Sequence, residues 1–154
     1  MSLTSKLLAT LAAAAFATTA MAQETITLED AYARSAGKTA KAGAAFMVIQ
    51  NTGEADDRLV RAESEAAARV ELHTHLIDAN GVAQMTHVEE GFVIPAGGAH
   101  ALKRGGDHVM FMGLVAPFEH GATVPVTLVF EKAGEVEIDV PVDLERKDMG
   151  AHSN

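Results

Sequence analysis

The 154-residue sequence contains no cysteine and no tryptophan, and only one tyrosine and four prolines. Without a thiol there is no disulfide, no thiol catalysis, no thiolate-rich zinc site and no blue-copper centre, because each needs a cysteine sulfur. Any metal site in this chain must be built from His, Met, Asp or Glu. Basic residues are also scarce: 12 Lys and Arg stand against 21 Asp and Glu, a formal net charge of −9. That balance excludes nucleic acid as a partner, since phosphate binding needs a positive face. Beyond the first 22 residues no apolar run is long enough to cross a bilayer, so the mature form is expected to have no membrane span.

The N-terminus reads as a targeting segment. Lys6 is followed by the apolar run LLATLAAAAFA at 7–17 and by Ala20-Met21-Ala22, small residues where a signal peptidase reads. This is the pattern of a secretory signal peptide cleaved near Ala22. The expected organisation is a signal peptide over 1–22, one β domain over 23–144, and a polar His- and Met-containing tail over 145–154. The length suits a single domain, which is expected to be a monomer.

Short apolar or β-branched segments recur at 26–28, 44–50, 58–63, 69–77, 82–88, 92–94, 100–103, 108–115, 123–130 and 136–142. They are separated by turn signals such as Asp78-Ala79-Asn80-Gly81 and Pro95-Ala96-Gly97-Gly98. This spacing predicts an all-β antiparallel sandwich or barrel with no helix of note. The stretch 63–69 is alanine-rich but too short to read as a helix. In 136–142, Val136, Ile138, Val140 and Val142 alternate with Glu137 and Asp139, the signature of a half-buried strand.

Soft metal donors concentrate in two segments. One is Val70-Glu71-Leu72-His73-Thr74-His75 with Met85 beyond the Gly81 turn, and the other is His108-Val109-Met110-Phe111-Met112. Residues two apart on a strand share a face, so His73 points with His75, and His108 with Met110 and Met112. A hairpin joining 69–77 to 82–88 would bring Met85 towards the histidines. Neutral imidazoles and thioethers suit Cu(I) far better than zinc, calcium or magnesium, and leave the ion's charge uncancelled. No general base or substrate pocket accompanies them, so carrying copper is the expected task. The competing expectation is that these side chains merely pack or face solvent. Methionine on a strand commonly fills core, the reading for Met47 and for Met112. His87, His100 and His120 read as solvated.

With these residues in place, 70–114 resembles the periplasmic copper chaperones called PCuAC. The resemblance rests on Val70-Glu71-Leu72-His73, Ile94-Pro95-Ala96-Gly97-Gly98, His108-Val109-Met110-Phe111-Met112-Gly113-Leu114 and the strand from Thr123, and extends over 42–142. It implies a cupredoxin-like Greek-key β-sandwich and a Cu(I) site made by His73, Met85, His108 and Met110. It also implies a periplasmic location and delivery of copper towards cytochrome c oxidase, at subunit II, alone or with a Sco-type protein. Two departures stand out. Eleven residues separate His73 from Met85, one more than in the commonest form, and His75 replaces a methionine. His75 is therefore expected at the rim, as an auxiliary ligand that tilts the site towards Cu(II).

The leading expectation is a Cu(I) chaperone and not an enzyme. A metal-free Ig-like binding module is the alternative, and a copper redox enzyme ranks last. Met149 and His152 in the tail are either an inert end or a weaker second site for Cu(II), with Asp148 nearby.

Overall fold

The computed structural model describes residues 25–147. The signal-peptide reading of 1–22 and the tail residues Met149 and His152 lie outside the described residues. Ten strands run in chain order: β1 Ile26–Ser35, β2 Ala42–Asn51, β3 Asp57–Glu63, β4 Ala67–Ile77, β5 Ala83–His87, β6 Phe92–Ile94, β7 Ala99–Leu102, β8 His108–Leu114, β9 Thr123–Phe130 and β10 Gly134–Pro141. Among the described residues there is no helix, hence none long and apolar enough to cross a membrane. The alanine-rich stretch 63–69 holds the end of β3, a connecting turn over 64–66 and the start of β4.

The strands form two antiparallel sheets. One has the order β1-β2-β8-β4-β5, with β7 pairing the second half of β2; the other has the order β10-β9-β3-β6. The core lies between them. Met47, Ile49, Leu72, Val109 and Phe111 enter it from the first sheet, and Leu59, Ile94, Leu128 and Val140 from the second. Met47 is core, as its apolar neighbours indicate.

Two buried polar side chains secure the connections. Asn51 donates to the carbonyls of Ala55 and Ile94, and Asp57 accepts from the backbone N–H groups of Arg58, Lys132 and Ala133. Each supplies hydrogen-bond partners to the backbone of neighbouring connections. β1 is longer than its apolar start suggests. It crosses an irregularity between Glu29 and Tyr32, where Asp30 has φ 53°, and then resumes pairing with β2 to Ser35. Beyond β10 the chain stays fastened past position 145. Arg146 forms an ion pair with Asp30 and its guanidinium lies 4.2 Å over the Tyr32 ring, while Arg34 donates to the Arg146 carbonyl.

Strand periodicity decides which side chains leave the core. Leu72 and Val109 are register partners and both are buried between the sheets. Their neighbours Glu71, His73, Met110 and His108 therefore project from the opposite face of the same sheet.

Candidate metal centre

Three adjacent strands carry the donor side chains. His108 on β8 is the register partner of His73 on β4, and His73 is in turn opposite His87 on β5. His75 faces Met85, and Glu71 faces Met110. Strand pairing thus produces one outer patch of imidazoles and thioethers.

The hairpin register depends on its turn. Asp78 Oδ1 accepts from the backbone N–H groups of Asn80 and Val82, and Asp78 N donates to the Val82 carbonyl. An aspartate that bonds its own turn in this way fixes where the returning strand begins. The longer connection between His73 and Met85 is absorbed here, and Met85 falls opposite His75.

His75, Met85, His108 and Met110 all line one cleft of about 430 Å³, together with Phe46, Ala44, Arg34 and Arg104. His75 is among the side chains that line this cleft, on the part of β4 that runs past the start of β8; its ring is 5.3 Å from that of His108. His73 lies beside the cleft, its ring 6.0 Å from His108 and 5.9 Å from His87. As the side chains stand, no three His, Asp or Glu among the described residues converge as a metal-binding group. The lining of the cleft holds no carboxylate, and Arg34 and Arg104 add positive charge to it. A hard divalent cation finds little there to compensate its charge, whereas a soft monovalent ion meets neutral nitrogen and sulfur.

Hydrogen bonds engage one ring nitrogen each of His108 and His73. The buried His108 donates from Nδ1 to the Gly106 carbonyl at 2.9 Å, which leaves Nε2 with the free lone pair. Gly105, at φ 75°, lets the β7–β8 turn present that carbonyl. Burial pushes the His108 pKa below its ordinary value. The Gly106 bond partly opposes the shift, and the nearby His75 and His73 reinforce it. His73 sends Nε2 to Glu71 Oε2 at 2.8 Å. Its Nδ1 is the one buried side-chain nitrogen or oxygen among the described residues with no hydrogen-bond partner. An orphan of this kind costs about 1–3 kcal/mol unless something binds it. The Glu71 carboxyl is held below the usual carboxylate range, chiefly by the His73 hydrogen bond and also by Arg69 and His87.

Several single residues depart from their sequence reading. Met112 is not core: it shares the outer face with Met110, opposite Arg69, whose Nη2 lies 3.5 Å from its sulfur. Strand alternation from His108 already implies this face, and the apolar look of Phe111-Met112 hid it. His87 is half-exposed but stands directly across from His73, with Nδ1 4.0 Å from Glu71 Oε2. Only the hairpin register reveals that placement. His100 stacks on Phe92 and binds Asp107 at 2.8 Å, and His120 accepts from Leu144 N, so both serve local structure away from the patch.

Comparison with known proteins identifies the family and the fold. The model of the LpqE-like family matches residues 26–142. A protein of Leifsonia xyli subsp. xyli (strain CTCB07), Lxx21020, whose name describes it as a lipoprotein, is 41% identical over 112 residues. The match covers 72% of this chain and 64% of that relative, so the chain spans less than two thirds of its length. Among solved structures, the copper-bound PCuAC domain from PmoF2 is 25% identical, with a TM-score of 0.64 over 78% of this chain and 93% of that one. The Cu(I) form of DR1885 from Deinococcus radiodurans is 30% identical, with a TM-score of 0.63 over 82% and 83% of the two chains. This chain belongs to the LpqE-like family and has the cupredoxin-like Greek-key β-sandwich of the PCuAC domains.

Proposed function

We propose that the protein is an extracytoplasmic copper chaperone that carries Cu(I) on the outer face of β4, β5 and β8. His73, Met85, His108 and Met110 are the ligands of this reading, with His75 as an auxiliary donor. The observation that carries it is the buried, unpartnered Nδ1 of His73 beside a carboxylate-free cleft lined by His75, Met85, His108 and Met110. The donors are neutral and soft, and two of them come from β8, which the sheet holds rigidly between β2 and β4. The copper-bound PmoF2 domain and the Cu(I) form of DR1885 add support from a shared fold. Met85 is half-exposed at the edge strand, which leaves one ligand on the side from which a receiving protein can approach.

Carriage, not catalysis, suits such a site. Two imidazoles and two thioethers would fill the coordination of the ion and would leave no open position for a substrate. The lipoprotein name of the Leifsonia relative and the signal-like residues 1–22 support an extracytoplasmic location. Delivery towards the copper centre of cytochrome c oxidase subunit II, alone or with a Sco-type protein, is the finer reading that the PCuAC resemblance supports.

Titration with Cu(I) against a competing chelator, followed by X-ray absorption at the copper edge, tests the site. One equivalent with mixed nitrogen and sulfur neighbours is expected, and a shell of nitrogen and oxygen alone overturns the assignment. Mixing the loaded protein with an apo subunit II copper domain tests delivery. Copper left on the carrier in excess acceptor rules that acceptor out.

A further inference from the structure

We propose that Glu71 is a positioning residue for copper: it holds the His73 ring so that Nδ1, and not Nε2, is offered to the ion. The inference rests on the reading of His73 as a ligand.

Alternation along β4 puts Arg69, Glu71 and His73 in one row on the outer face. The carboxylate is fastened at both ends of this row. Oε1 lies 3.1 Å from Arg69 Nε, and Oε2 lies 2.8 Å from His73 Nε2. An ionised carboxylate only accepts, so the proton between Glu71 and His73 sits on Nε2. In the neutral ring the proton-free nitrogen is then Nδ1, the atom that is buried and has no partner. The ring cannot turn over without surrendering the Glu71 bond and burying an N–H where nothing accepts it.

Glu71 is poorly placed to be a ligand itself. Both its oxygens are engaged, and a hard anionic donor is the wrong match for a soft monovalent ion. A carboxylate behind a metal-binding imidazole does two things: it fixes the tautomer and orientation of the ring, and it raises the basicity of the nitrogen that binds. Arg69, Glu71 and His73 supply that arrangement before any ion arrives, which makes part of the site preorganised.

The test combines the metal-free protein with a double-mutant cycle. In nitrogen-detected NMR of the copper-free protein, His73 should show Nε2 protonated with a hydrogen-bonded, slowly exchanging proton, and Nδ1 unprotonated. The slow exchange should vanish in Glu71→Ala. A protonated Nδ1 in the parent overturns the proposal whatever copper does. Cu(I) affinity should fall about ten- to a hundred-fold in Glu71→Ala, with the melting temperature little changed. In a His73→Gln background the same change should cost almost nothing, because a residue that acts through another has no effect once that other is gone.

In the double-mutant cycle, three further outcomes overturn the proposal. If His73→Gln loses affinity and Glu71→Ala keeps it, Glu71 does not position the ligand, and the copper reading stands. If the Glu71→Ala loss persists in full without His73, Glu71 touches copper directly. If His73→Gln binds as the parent does, the ligand reading fails and the proposal fails with it. Should Glu71→Ala not fold, Glu71→Gln decides. Its amide oxygen can still accept from Nε2 but carries no charge, so a weakened Nε2–H signal with a several-fold loss of Cu(I) affinity is expected. No change in either measurement overturns the proposal.

Discussion

His73 and His108 face each other as register partners across the β4–β8 ladder, their ring centroids 6.0 Å apart. On the far side of the same two strands, Leu72 and Val109 form the adjacent pair and sit fully within the core. The backbone that displays the histidines is thereby locked by hydrophobic packing, not by a loop. A site on such a frame should lose function without losing the fold when a donor is replaced by an apolar isostere.

Met110→Leu tests that separation. Volume and apolarity are nearly conserved, so the stability cost should stay below about 1.5 kcal/mol. Cu(I) affinity should fall by at least about ten-fold, equivalent to about 1.4 kcal/mol. Met47→Leu, in the core, should leave the affinity unchanged. Thermal melts and chelator competition on both variants decide it. Equal copper binding by the two would make Met110 a packing residue.

His75→Met places a thioether where this chain has an imidazole, in the cleft and opposite Met85. A softer donor favours the reduced ion, so the Cu(II)/Cu(I) potential should rise. A ten-fold change in relative affinity corresponds to about 59 mV for this one-electron couple. Protein-film voltammetry on parent and variant reads the shift directly, and an unchanged potential would make His75 a bystander.

Burial lowers the His108 pKa from its ordinary 6.5, which sets a pH dependence for the copper-free protein. Between the lowered folded value and 6.5 the unfolded chain binds more protons at this position than the folded one. Stability from His108 is therefore fully present above pH 6.5 and is lost as pH falls through the lowered value. Urea denaturation from about pH 8 down to pH 5 should show this decline in the parent. His108→Asn should flatten it over the same window. A parent curve that is flat there, or that rises on acidification, would contradict the assigned shift.

Gly91 offers a test of the scaffold remote from the metal donors. Its φ is +71°, and a Cβ there would stand 2.0 Å from the Leu59 carbonyl oxygen, where β6 begins to pair with β3. Gly91→Ala should destabilise the fold by at least about 2 kcal/mol, from the strained backbone and the clash together. A calorimetric melting temperature within a degree or so of the parent would show that the segment yields freely.

Much of the frame was legible from residue order. Turn residues bracket runs of the right length, and the bounds of β6 and β9 coincide with their apolar segments. The placement of His73 with His75, and of His108 with Met110, follows from a period of two. The same period puts Glu71 on the face of His73 and Met112 on that of Met110, though the apolar character of Phe111-Met112 pointed to core. β1 extends beyond its apolar start because the irregularity at Asp30 breaks the alternation that would have disclosed the second half.

The sequence by itself determined the donor chemistry and the faces. With no cysteine in the chain, soft coordination can come only from His and Met, and strand periodicity is a local property of the backbone. Tertiary structure decided which strands became neighbours. β8 and β4 are distant along the chain, and nothing within either segment says that His108 will lie opposite His73. Pairing and register are chosen by burying Leu72, Val109 and Phe111 together against the second sheet, a cooperative choice that belongs to the whole core. The same choice sets His75 and Met85 in one cleft, brings His87 to His73, and leaves one imidazole nitrogen buried without a partner.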